Sequence, residues 1–148
     1  IAAGMVYLSR WDTDRILIDP FCGSGTILIE AAMIAKNQAP GLYRNFNSER
    51  WPVFPIEAWN QARREARAAV REDVDPRLIM GNDIDKNVVG IARHHAENAG
   101  VDNLIHFQQR SFSDFSTSFF LFLFIFIPVM QIFCPLVSLP DNIIKLGS

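Results

Sequence analysis

Arg15-Ile16-Leu17-Ile18-Asp19-Pro20-Phe21-Cys22-Gly23-Ser24-Gly25-Thr26-Ile27-Leu28 is the stretch on which the fold turns. Arg15 to Asp19 is a short apolar run following the turn-forming Asp12-Thr13-Asp14, and its β-branched content favours a buried strand. Pro20 to Gly25 is a tight loop. Thr26 to Lys36 then reads as a helix, with Ile27, Ile34 and the pair Ala31 and Ala32 offering an apolar face.

Working outward, Ala2 to Ser9 suits the end of a helix packed on a sheet, and Gln38 to Pro55 is irregular, with three prolines. Pro55 to Glu72 is expected to be helical, with Trp59, Ala62, Ala66 and Val70 on the apolar side. Arg63, Arg64, Arg67 and Arg71 fall on the polar side, balanced by Glu65, Glu72 and Asp73, and read as a solvated face. Leu78 to Asn82 is a second strand ending in Asp83. Asp85 is the expected N-cap of a helix from Lys86 to Ala99, and Gly100 stands where a left-handed residue closes such a helix. Leu104 to Gln108 is a third strand. Strands separated by helices predict a doubly wound α/β fold with a parallel sheet.

The 148 residues suffice for one domain, and 49% apolar with 20% charged residues describes a globular chain. A net charge of -2 argues against a nucleic-acid-coating protein. Two cysteines, Cys22 and Cys134, are too few for a disulfide framework, so a reducing compartment is expected: cytoplasmic, or an organelle in a eukaryote. His94, His95 and His106 lack metal-ligand spacing with either cysteine, and no metal is expected. The amino terminus does not read as a signal peptide; it reads as a chain entered midway.

The loop carries the chemistry. Gly23 and Gly25 permit backbone angles and close approach that a Cβ blocks, and the helix after them presents free N–H groups and a positive dipole end. Such a loop holds a carboxylate or phosphate at the carboxyl end of the strand. A Walker A loop would need lysine where Gly25 stands, and the dinucleotide fingerprint would need a small residue where Leu28 stands. Asp19 would repel a phosphate but attract an ammonium group. S-adenosylmethionine, whose methionine moiety carries both charges, fits this pattern. Asp83, at the end of the next strand, is placed to accept from both ribose hydroxyls, since Asp85 is better explained as a cap. Cys22 lies inside the loop and is expected to pack there.

Asp19 to Ala32 resembles the first motif of class I methyltransferases that modify exocyclic amino groups. The continuation Asn37-Gln38-Ala39-Pro40-Gly41-Leu42-Tyr43-Arg44, with Phe46, Glu49 and Trp51, resembles the THUMP-containing RNA methyltransferases akin to bacterial 23S rRNA guanine-N2 enzymes. Gly81 to Asp85 and Ala92 to Gly100 continue the likeness, which covers residues 1 to 115. It implies a class I Rossmann-like sheet present through its third strand, S-adenosylmethionine as cofactor and RNA, foremost rRNA, as partner. The implied cofactor set is Asp19, Phe21, Gly23, Gly25, Asp83, Ile84, Ser111 and Phe112, the last two at the adenine edge. Ser111 stands where the family often has an acid. A tRNA or DNA amino-methyltransferase, or a non-catalytic cofactor-binding product, is the rival reading.

The family's catalytic segment is Asn-Pro-Pro-Tyr-like, and this sequence has no Asn-Pro pair and no adjacent prolines. Its place is taken by a Phe-rich run without a charged residue between Asp114 and Asp141. The expected organisation is therefore half a methyltransferase domain, 1–115, and a non-matching apolar tail, 116–148, with the chain inactive alone. Pro128 and Pro135 interrupt the run, so a tail of foreign origin is expected rather than a membrane span.

Overall fold

The parallel sheet forms where the strand-forming runs predict it, each strand a residue or two from the expected limits. The structure, a computed structural model, describes residues 1–75 and 78–114. Helix α1 (Ala2–Leu8) leads to strand β1 (Leu17–Asp19), the glycine loop and helix α2 (Thr26–Ala35). A 3-10 turn at Asn47–Arg50 and helix α3 (Ile56–Ala68) precede strand β2 (Ile79–Asp83), helix α4 (Lys86–Ala99) and strand β3 (Ile105–Gln109). The expected tail at 116–148 lies outside the described residues. Among the described residues no helix is long and apolar enough to cross a membrane.

The sheet order is β1-β2-β3, both pairings parallel. Leu17 pairs with Ile79 and Asp19 with Gly81; Ile79 pairs with Ile105 and Asp83 with Gln109. Parallel neighbours require crossover connections, which α2 with the long insert and α4 supply. Leu17, Ile79, Gly81, Ile105 and Phe107 are buried, in register, on one face of the sheet. Leu28, Ala31, Ala32 and Ala35 of α2 and Val89, Ala92 and Ala96 of α4 complete the core.

Two expectations about helix faces are corrected. On α2, Ala31 and Ala32 are buried as expected, but Leu28 and Ala35 complete the stripe while Ile27 and Ile34 are only half-buried. Alanines let a helix lie close to its neighbours, and α2 contacts α1, α4 and the sheet. The tightest approach is at Gly81, where a Cβ would stand 2.5 Å from Leu28 Cδ1 and 2.8 Å from Phe107 Cδ1. On α3, Ala62 is exposed and Arg63 turns inward. Its guanidinium donates to the carbonyls of Leu42 and Arg44 at 3.3 and 3.0 Å and pairs with Glu49. α3 also ends at Ala68, short of Glu72. The insert is closed by Arg71 N–H donating to the Lys36 carbonyl at 2.7 Å and Asn37 Nδ2 donating to the Ala69 carbonyl at 3.1 Å.

The ends of α4 follow the sequence signals. Asp85 caps it by accepting from the Asn87 N–H at 2.8 Å, and Gly100 closes it at φ +68°.

Candidate functional site

Every residue of the expected cofactor set lies at or just beyond the carboxyl end of a strand. Asp19 ends β1, Asp83 ends β2 with Ile84 following, and Ser111 and Phe112 follow β3. In an open parallel sheet this edge is where ligands bind, because strand ends and helix N-termini converge there.

The loop between β1 and α2 is shaped by its glycines. Gly23 has φ +53° and Gly25 φ +79°, both in the left-handed region that side chains resist. Their surroundings differ. A Cβ on Gly25 would stand 3.0 Å from the Phe107 ring and 3.1 Å from Ala92 Cβ, whereas one on Gly23 would meet no atom within 4 Å. Gly25 serves packing; Gly23 borders open space. Gly25 is the N-cap of α2 and makes no side-chain cap hydrogen bond, so no side chain offsets the dipole end of this helix at that position.

The loop is fastened to β2 by two hydrogen bonds. Cys22 N–H donates to the Asn82 carbonyl at 2.8 Å, and Gly23 N–H donates to Asp83 Oδ2 at 3.0 Å. Asp83 Oδ1 accepts from the Asp85 N–H at 3.0 Å. Each carboxylate oxygen therefore holds one backbone donor and keeps acceptor capacity for a further one. Asp83 thus positions the loop and the start of α4 together.

Asp19 is set differently. Its Oδ1 accepts from the Phe21 N–H at 3.0 Å. Burial pushes its carboxyl above the usual carboxylate range, opposed by that hydrogen bond and reinforced by the nearby charge of Asp83. A cationic group would relieve both penalties. The Cys22 thiol is buried and pushed up to about 12 by desolvation and by Asp19 and Asp83, so it stays protonated and packs.

The rings of Phe21 and Phe112 stack with centroids 5.1 Å apart and planes at 29°. This contact brings together two residues of the expected set from the segments that follow β1 and β3. Ser111 Oγ lies 2.8 Å from Ser113 Oγ, and Ile84 is exposed. Arg110 N–H donates to the Asp83 carbonyl at 2.9 Å, holding the segment after β3 against β2.

Two contributors were absent from the expected set. Gln109 Nε2 donates to the Ile84 carbonyl at 3.1 Å, and His95 Nδ1 lies 3.2 Å from the Ser24 carbonyl. Gln109 follows from parallel register, which sets it opposite Asp83. Nothing in the spacing of His95 and Ser24, 71 positions apart, announces their contact. No group of three or more metal-ligating side chains occurs among the described residues.

The chain matches known proteins in sequence and structure. The chain is 47% identical over 118 residues to the "Putative RNA methyltransferase YpsC" of Bacillus subtilis, matching 80% of this chain and 30% of that protein. It is 44% identical over 111 residues to the "Ribosomal RNA large subunit methyltransferase K/L" of Shewanella pealeana, matching 72% of this chain and 16% of that protein. The crystal structure of "SMU.472, a putative methyltransferase complexed with SAH" superposes with a TM-score of 0.74 at 40% identity, covering 78% of this chain and 30% of that one. The chain spans less than a third of the length of these relatives. The resemblance read from the glycine loop, its continuation and the second acidic motif is borne out, as is the class I methyltransferase architecture. The model of one family, the RMKL-like methyltransferase domain (UPF0020), matches residues 1–120, and the chain belongs to that family.

Proposed function

We propose that the chain forms the cofactor-binding half of an S-adenosylmethionine-dependent RNA methyltransferase domain, of the kind that acts on guanine N2 in large-subunit ribosomal RNA. The observation that carries this reading is the Gly23 N–H to Asp83 hydrogen bond. It joins an open glycine loop to an acid at the neighbouring strand end, on the edge where ligands of parallel sheets bind. The relatives named as RNA methyltransferases supply the substrate class.

In this reading Asp19 receives the ammonium of the methionine moiety, and the Gly23–Gly25 loop with the free end of α2 receives its carboxylate. Asp83 accepts from the ribose hydroxyls through its remaining lone pairs, beside the exposed Ile84. Ser111 offers a hydroxyl to the adenine edge, and the Phe21–Phe112 stack walls the purine. The cofactor, when bound, supplies an electrophilic methyl group on a sulfonium. The chain's own residues orient that group at the sheet edge, where transfer to an amino nitrogen depends on positioning. With no Asn-Pro or Pro-Pro pair in its sequence, the chain holds cofactor without transferring methyl groups alone. A cytoplasmic or organellar, reducing setting belongs to the same reading.

Calorimetric titration of the whole chain with S-adenosylmethionine and S-adenosylhomocysteine tests it. Saturable binding of both is the expected result; no binding at millimolar ligand overturns it. Methyl transfer to ribosomal RNA by the chain alone would overturn the expected inactivity.

A further inference from the structure

We infer that Tyr43 to Phe54 forms an RNA-docking platform that anchors single-stranded RNA away from the methyl-transfer edge. The inference rests on the RNA methyltransferase reading for its ligand class. Its site is separate.

Aromatic rings in this segment are held outward. Tyr43 is 70%, Trp51 56% and Phe54 48% exposed. Trp51 and Phe54 stack on each other at 6.3 Å with planes at 23°, which leaves their outer faces to solvent. The scaffold beneath them is pinned. Leu42 is buried, Phe46 stacks on Trp59 at 5.8 Å, and Glu49 accepts from the Phe46 N–H at 2.7 Å while pairing with Arg63. The rings therefore sit on fixed backbone, which lowers the ordering cost of binding.

Charge selects the occupant. The Arg44 guanidinium lies 4.5 Å over the Phe46 ring, and Arg50 is exposed beside Trp51. Neither is among the ion pairs of the described residues, since Glu49 is engaged by Arg63. Unpaired arginines flanking stacked aromatic faces suit a nucleic-acid single strand: bases stack on rings and phosphates meet guanidinium groups. The chain's net charge of -2 confines such attraction to local patches. Leu42, Tyr43 and Arg44 line a cleft with Asn98 and Ala99 at the carboxyl end of α4, so the segment begins at the end of the helix layer opposite the glycine loop. It anchors RNA and does not present the target base.

The test is fluorescence titration of the whole chain with a single-stranded RNA oligonucleotide. Quenching of Trp51 emission is expected, absent in Trp51→Phe. Trp51→Ala should weaken binding by about 5- to 150-fold, the range for loss of one base–aromatic stack. Arg44→Ala with Arg50→Ala should lower the salt dependence. S-adenosylmethionine titration of the same variants should match wild type, and it reads the cofactor site alone, so failure of that reading is seen separately. Unquenched Trp51, unchanged affinity in Trp51→Ala, or equal binding of duplex DNA would overturn the inference. So would a dimer in wild type that Trp51→Ala abolishes, because the platform would then be a protein interface.

Discussion

The backbone N–H of Gly23 donates to the carboxylate of Asp83 across 3.0 Å, joining residues 60 positions apart. The other oxygen of that carboxylate holds the N–H of Asp85, at the start of α4. One side chain thus sets the spacing between the loop and the second strand end, the two halves of the proposed ligand cradle.

Replacing Asp83 separates its structural and ligand roles. Asp83→Ala loses two backbone hydrogen bonds, a cost of about 1–3 kcal/mol in thermal or urea unfolding. Asp83→Asn keeps an acceptor for one N–H and should cost less. Both should lose S-adenosylmethionine affinity by tenfold or more, as expected when a charged acceptor is withdrawn from hydroxyl donors. Wild-type affinity in Asp83→Ala would remove the residue from the proposed ribose site.

The two loop glycines should fail in different ways. Gly25→Ala combines φ +79° with a Cβ 3.0 Å from the Phe107 ring, so it should destabilise the fold by about 1–3 kcal/mol. Gly23→Ala carries a positive φ but meets no protein atom, so its stability cost should be about 1 kcal/mol. Its methyl group enters the open space assigned to the ligand, so the larger loss should be in binding. Unfolding curves and calorimetry on both variants give the comparison. Gly23→Ala binding as well as wild type would mean that the open space is not the ligand's.

In the proposed reading Asp19 sets function against stability. Its folded carboxyl is raised above the usual 3.8 by burial, so the folded state binds the proton more tightly than the unfolded chain. The resulting stability is fully present below the unfolded pKa and is lost as pH rises through the folded value. At neutral pH the buried charge is a liability. Asp19→Asn should therefore raise the melting temperature while weakening S-adenosylmethionine by about 10- to 150-fold, through loss of a charge-assisted bond to the ammonium. A lowered melting temperature would contradict the desolvation argument, and unchanged binding would contradict the ammonium role.

The legible parts of this fold were those written locally. The Asp85 cap, Gly100, the helix limits of α4 and the glycine loop each depend on neighbours within a few residues. The parallel sheet followed from their order. What was illegible depended on distant partners. Arg63 looks like one more arginine on a solvated face, and only the fold of the insert brings the Leu42 and Arg44 carbonyls to it. The buried stripe of α2 is legible at Ala31 and Ala32 but not at Leu28 and Ala35, because Ile27 and Ile34 outrank alanine in hydrophobicity, whereas close packing around Gly81 selects small residues and Leu28. The candidate site was legible as residue types at strand ends. The Phe21–Phe112 stack and the tie from Gly23 to Asp83 were not, because both cross between strands.

The Glu49–Arg63 pair should make the insert acid-sensitive. Glu49 lies below its usual 4.5, held there first by the Phe46 N–H and then by Arg63. A lowered folded pKa gives stability that is present above the unfolded value and lost as pH falls through the folded one. Trp59 stacks on Phe46, whose N–H donates to Glu49, and its emission reports the local state. Wild type should show weaker hydrogen-exchange protection across 42–50 and altered Trp59 emission as pH falls below about 4.5. Glu49→Gln should start with lower protection at neutral pH and lose little more on acidification, so the two proteins converge. Arg63→Ala should lower protection throughout, because it removes donors from two carbonyls as well as the charge. Parallel acid profiles for wild type and Glu49→Gln would assign the sensitivity to another group.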